Sequence, residues 1–358
     1  MTNPYTTMKK YLFIFVLISI SLISFAQQEE IKLVTLHAPN MEVKIMNYGA
    51  RIQQLKFRNT DLALGFDSLD QYTKERQNFG AVVGRYIGRI VGGYLKIDDN
   101  EYMLQIRHHG DCAHGGSPNF SERYWDILSH NDTTVTLRYI SPDGENGFPG
   151  ELTLDVTYTL TQTQDLRIDY KATTTKPTVV NIANHNFFNL TGNHASNVLE
   201  EELWLAADSF AIYDMSKRVT GKLASVKGTP FDFRTPHLIG ERIDMSNSQL
   251  HITQGYDHCY KLNTNGDLSK LAARLVDNHT DITVEVYTTE PALQIYTANG
   301  HKGFMIGKGG KPHNYRNAVC FETMHFPDSP NNPQWPSTLL RPGETFNSTT
   351  IFHFIGVR

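Results

Sequence analysis

Hydrophobic and polar residues alternate with a period of two over much of the chain. Leu152, Leu154, Val156, Tyr158 and Leu160 interleave with Thr153, Asp155, Thr157 and Thr159. After a Thr163-Gln164-Asp165 turn, Leu166, Ile168, Tyr170 and Ala172 repeat the pattern. Val135, Leu137 and Tyr139 precede it, and Ile282, Val284 and Val286 follow later. Successive side chains of a strand point to opposite faces, so each run predicts a half-buried strand. Turn chemistry separates the runs: Pro142-Asp143-Gly144, Asn146-Gly147, Pro149-Gly150 and Arg341-Pro342-Gly343. Long amphipathic helices are missing, and the best helix is a short one around residues 68–76. Strands joined by short turns predict an all-β protein, a large antiparallel β-sandwich. No linker, composition break or fixed-period repeat divides it, so one domain is expected over residues 27–358.

The first 26 residues have a different pattern. Lys9 and Lys10 precede an uncharged run of apolar residues and serines from Leu12 to Phe25, and Ser24-Phe25-Ala26 ends on small residues. This is the form of a secretory signal peptide over residues 1–26, and the run is short for a membrane span. The expectation is an exported protein, periplasmic or secreted, with no membrane span after the leader is removed. Taking 26 of the 358 residues away leaves 332, enough for a large core, and moves the net charge from −4 to −6. A mildly acidic surface argues against nucleic acid or anionic membrane as the main partner. Three cysteines, Cys112, Cys259 and Cys320, do not make a disulfide scaffold and read as small buried hydrophobes.

Three polar islands interrupt the strand pattern: His114-Gly115-Gly116, Asn184-His185-Asn186, and Glu322-Thr323-Met324-His325. If Phe321 faces the core, Glu322 faces the other way, and apolar neighbours would raise its pKa and make it a better base. The alternative for Glu322 taken alone is a solvent-facing strand glutamate. His185 lies in an apolar stretch with more asparagine than strands favour, so the amides are there to orient the imidazole or contact hydroxyls. A core histidine beside turn-capping asparagines is the alternative. Two imidazoles and a carboxylate brought into one cleft would form a general acid/base set. His108, His109, Cys112 and His114 fit neither zinc-finger nor HExxH spacing, so no metal is expected. Arg85 and Arg89 occupy an irregular Gly-Arg-Tyr-Ile-Gly-Arg loop, where one guanidinium could bind hydroxyls. Asp257 and Gln294 stand beside aromatic and apolar residues, a mixture that suits the C–H faces and hydroxyls of a sugar.

The ordered set Leu64-Gly65-Phe66-Asp67, Gly147-Phe148-Pro149-Gly150, Asn184-His185, Gly228-Thr229-Pro230-Phe231-Asp232-Phe233, Gly255-Tyr256-Asp257-His258 and His325-Phe326-Pro327-Asp328 resembles the aldose 1-epimerase (mutarotase) family. The resemblance runs from about Asn47 to the C-terminus. It implies a galactose-mutarotase-like supersandwich acting on free hexoses, with Glu322 as general base and His185 as general acid. Arg89, His114, Asp257 and Gln294 would hold the sugar, with no cofactor. The expected partner is a small-molecule sugar, and the expected state a monomer. Gly88 stands where many members carry Asn, and Met324 where Gln is usual, so one hydroxyl contact and some polarity around Glu322 are expected to be missing. Two alternatives remain: a hexose-6-phosphate mutarotase, using Arg85, Arg89 and Arg107 as a phosphate pocket, and a non-catalytic sugar-binding module on the same scaffold.

Overall fold

The computed structural model describes residues 30–75 and 77–356. The expected leader lies outside the described residues. A nine-stranded antiparallel sheet runs in the order Asp126–His130, Thr134–Ser141, Leu152–Leu160, Asp165–Thr174, Phe346–Gly356, Ile282–Thr288, Ala273–Asp277, Glu202–Leu205 and His237–Leu238. Its register keeps the alternation in phase across neighbours: Leu154 opposes Ala172, Val156 opposes Tyr170 and Tyr158 opposes Ile168. A slip of one residue would turn every one of these side chains to solvent. The alternation of Leu152–Leu160 is therefore seen directly, with each apolar residue buried and each intervening polar one half-buried.

A second sheet of six strands has the order Phe187–Phe188, Val319–Met324, Ala292–Tyr296, Asp257–Lys261, Ser209–Tyr213 and Val219–Ser225. One face of it joins the main core. Leu293, Ile295, Val319 and Phe321 pack there with Leu154, Val156 and Tyr158 of the larger sheet and with Val43, Ile45 and Ile52 of a four-stranded N-terminal sheet. Each such side chain contributes about 1.5–3 kcal/mol when fully buried. The buried Tyr158 hydroxyl is satisfied by the Ala50 carbonyl at 2.6 Å. The helix expected around residues 68–76 is present as Leu69–Glu75. All three cysteines are buried and free.

Candidate active site

The strand Val319–Met324 alternates between two destinations. Phe321 enters the core and Glu322 enters a cleft of about 470 Å³. The neighbouring strand repeats the division: Leu293 and Ile295 pack in the core, and Gln294, opposite Glu322 in the register, lines the cleft. One strand further, Asp257 opposes Tyr296, so the three polar groups share one sheet face. His185 arrives from a short strand paired with Ala81–Val83. Its imidazole lies nearly parallel to the Phe187 ring, with centroids 4.8 Å apart and planes inclined by 19°. Asn186 alone separates the two residues, linking the strand Ala183–His185 to the strand Phe187–Phe188.

His185 Nε2 stands 3.3 Å from Glu322 Oε1, and both side chains are more than nine-tenths buried. Burial pushes the Glu322 carboxyl up to about 8, and the nearby Asp257 charge adds to this. Burial pulls the His185 imidazole down to about 4, helped by His301 and Arg51. Both shifts favour the uncharged forms, with the proton on Glu322 and the imidazole neutral. Moving that proton to His185 gives a carboxylate beside an imidazolium without exchange with solvent.

The other expected sugar-holding residues line the same cleft. His114 is in the left-handed region (φ 53°), at a turn where Gly115 is required: a Cβ there would meet the Gly84 carbonyl oxygen at 2.2 Å. The Gly88 N–H donates to His114 Nδ1 at 3.4 Å, so a neutral His114 carries its proton on Nε2. Burial keeps this imidazole well below its ordinary pKa. Arg89 is held toward the cleft by Asp111, whose buried carboxylate lies 3.6 Å away. Asp111 also pairs with Arg218 at 2.8 Å. Asp257 is raised by burial, an effect opposed by the Gln294 amide that donates to it.

Two expectations are corrected. Arg85 is not in the cleft. Its guanidinium is buried and donates to the carbonyls of Pro149 and Gly150 at 2.8 and 2.7 Å and to the Ser141 hydroxyl at 2.6 Å. Arg85 therefore cannot serve a phosphate pocket, and Arg107, which does line the cleft, already faces Glu122 at 3.6 Å. The asparagines around His185 do not line the cleft either. Asn184 donates to the Gly80 carbonyl, and Asn181 brackets the His325 backbone by donating to its carbonyl and accepting from its N–H. They fix the chain on which His185 sits. Sequence reasoning missed Phe187, Tyr213, Tyr296 and His301, all of which line the cleft. The i,i+2 spacing from His185 could have found Phe187, but nothing local marks His301.

This arrangement has relatives. Residues 32–353 match the family model described as aldose 1-epimerase. The chain is 37% identical to the galactose mutarotase of Rattus norvegicus over 326 residues, covering 89% of this chain and 92% of that one. It is 35% identical to the aldose 1-epimerase of Escherichia coli K12 over 322 residues, covering 88% and 92%. Among solved structures, an aldose epimerase homologue from C. elegans aligns with a TM-score of 0.84 at 25% identity, covering 92% of this chain and 100% of that one. Galactose 1-epimerase from Lactobacillus acidophilus NCFM aligns with a TM-score of 0.82 at 28% identity, covering 93% and 96%. The match extends over the sheets that carry Glu322, His185 and the cleft between them, and on this ground the chain belongs to the aldose 1-epimerase family.

Proposed function

We propose that this protein interconverts the α and β anomers of free hexoses such as glucose and galactose by acid/base ring opening and closure. The observation that carries the reading is the His185–Glu322 pair, 3.3 Å apart in a cleft of sugar-binding character. The anomeric hydroxyl oxygen and the ring oxygen are bonded to the same carbon, so an acid and a base that act on both must be neighbours. Glu322, as carboxylate, takes the proton from the C1 hydroxyl, and His185, as imidazolium, gives one to the ring oxygen. The C1–ring-oxygen bond breaks and an open-chain aldehyde forms. Glu322 is then protonated and His185 neutral, which is the state burial favours for the empty pair. Rotation about C1–C2 presents the other carbonyl face, and closure reverses both transfers. Each transfer contributes roughly 10²–10⁴-fold.

Arg89 and His114 supply donors to the sugar, and Asp257 supplies an acceptor. Polarimetry on freshly dissolved α-D-galactose and α-D-glucose tests the reading. Acceleration by wild type that Glu322→Gln abolishes supports it. Failure of wild type on every common aldose removes it and favours the binding-module alternative. Export is also inferred from the basic, apolar and small-residue segments of residues 1–26. Mass spectrometry of the mature N-terminus after cell fractionation tests that inference.

A further inference from the structure

We propose that His301 is a further sugar-binding residue, accepting a hydrogen bond from an aldose hydroxyl through Nε2. The inference rests on the mutarotase reading of the cleft and assigns it a residue that neither the polar islands nor the acid/base pair requires. His301 lines the cleft. Its Nδ1 lies 2.6 Å from the side-chain oxygen of Asn317, which is fully buried. The orientation of that amide is fixed, because Asn317 Nδ2 donates to the His194 carbonyl at 2.8 Å. Oδ1 must therefore face His301, and the proton between them belongs to His301 Nδ1. Burial keeps this imidazole below its ordinary pKa, so it has one ring proton and Nδ1 holds it. Nε2 is left as a lone-pair acceptor on the side of the ring away from Asn317.

The ring is also held in place. It stacks on Phe187 with centroids 5.3 Å apart and an 18° inclination, and Phe187 in turn stacks on His185. The preceding Gly300 N–H donates to the Tyr296 hydroxyl at 2.9 Å. His301 is thus a fixed, uncharged acceptor in the wall of the cleft. Arg89 and His114 offer donors, and a hydroxyl that already accepts from one of them still has a proton to place. His301 Nε2 can receive it.

The experiment compares kcat and KM of wild type, His301→Leu and His301→Gln on galactose, glucose and the singly deoxygenated analogues of each. For His301→Leu, KM is expected to rise roughly tenfold, the value of about one hydrogen bond, with a smaller change in kcat. His301→Gln, which keeps an acceptor of similar reach, is expected to stay nearer wild type. One deoxy analogue, the one lacking the partner hydroxyl, should show no difference between wild type and His301→Leu. If the leucine variant does not fold, His301→Asn, polar but too short to reach the same point, must raise KM instead. An unchanged KM, an equal penalty on every analogue, or a fall in kcat alone would overturn the proposal. The last pattern would mean that His301 acts only through Phe187 on His185. A wild type inactive on all aldoses defeats the mutarotase reading itself, whereas an active wild type matched by His301→Leu defeats only this inference.

Discussion

Gln294 Nε2 donates to Asp257 Oδ1 at 2.6 Å, joining adjacent strands on the floor of the cleft. Its other end is also fixed, because Gln294 Oε1 accepts from the Tyr213 hydroxyl at 3.3 Å. The amide therefore favours the charged form of Asp257, opposing the burial that raises it. Gln294→Leu removes that donor and leaves Asp257, the proposed sugar acceptor, less oriented and less favoured as a carboxylate. KM for galactose is expected to rise roughly tenfold, with kcat changing less. A KM equal to wild type in steady-state assays would mean that Asp257 is positioned by other groups.

With the roles proposed for Glu322 and His185, the pH profile follows from the proton count of the pair. Below about 4 His185 gains a second proton for the pair, and above about 8 Glu322 loses the only one. Both changes remove the one-proton state that the proposed mechanism uses, so kcat/KM should form a bell with limbs near those values. The Asp257 charge helps to raise Glu322, so Asp257→Asn should move the alkaline limb toward lower pH and leave the acid limb nearly still. Rates measured from pH 3.5 to 9.5 check this. A flat profile, or a limb that moves upward in the variant, contradicts the assignment.

Gly88 and Met324, two of the expected departures from the family pattern, both line the cleft. Gly88 has φ +83°, and a Cβ built on it would stand 3.0 Å from Met324 Cε and 3.5 Å from Pro327. A left-handed alanine costs about 1–2 kcal/mol, so Gly88→Ala should lower Tm by a few degrees. Adding Met324→Ala relieves the contact but not the backbone strain. The double variant should therefore regain none of the share due to φ. Full recovery of Tm in the double variant would show that the contact, not the backbone, was the cost.

The fold was legible because it depends on local alternation, whereas the acid and base roles of His185 and Glu322 were implied only by the family resemblance. Glu322 and Gln294 could be aimed away from the core from Phe321, Leu293 and Ile295 alone. The residues alone did not choose between Arg85 and Arg89, and only the family resemblance pointed to Arg89. The choice is made by the carbonyls of Pro149 and Gly150, which lie more than sixty residues away and enclose Arg85. The asparagines near His185 signalled special placement, but Asn181 and Asn184 find backbone partners far away in sequence, so structural and sugar-binding roles could not be told apart. His301 gave no local signal, because its tautomer is set by Asn317 and its ring by Phe187.

The Arg85 correction can be tested against its neighbour. Arg85→Met leaves the Pro149 and Gly150 carbonyls without their donor and should destabilise the protein by roughly 3 kcal/mol or more. The folded protein should keep the wild-type KM, since the guanidinium lies outside the cleft. Arg89→Met should do the reverse, with little change in Tm and a raised KM. If Arg85→Met weakened sugar binding with no loss of Tm, the two roles would be exchanged.

The raised pKa of Glu322 also has a consequence for stability. A carboxyl whose folded pKa lies above its unfolded value of about 4.5 favours folding in its protonated form. That contribution is full below about 4.5 and is lost as pH rises through about 8. Glutamine cannot ionise, so Glu322→Gln escapes the loss. His185 runs the other way: its lowered pKa gives stability that is present above 6.5 and lost as pH falls toward about 4. His185 is present in both proteins, so its effect largely cancels in the comparison. Glu322→Gln should therefore melt above wild type by a margin that is small at pH 5, grows to pH 8 and levels off beyond it. At the plateau the margin should correspond to a few kcal/mol, at about 1.4 kcal/mol per pKa unit. Calorimetric melting at pH 5, 6.5, 8 and 9 would show this trend. A margin that shrinks as pH rises would mean that Glu322 is ionised at no cost in the folded protein, and that burial does not tune the base.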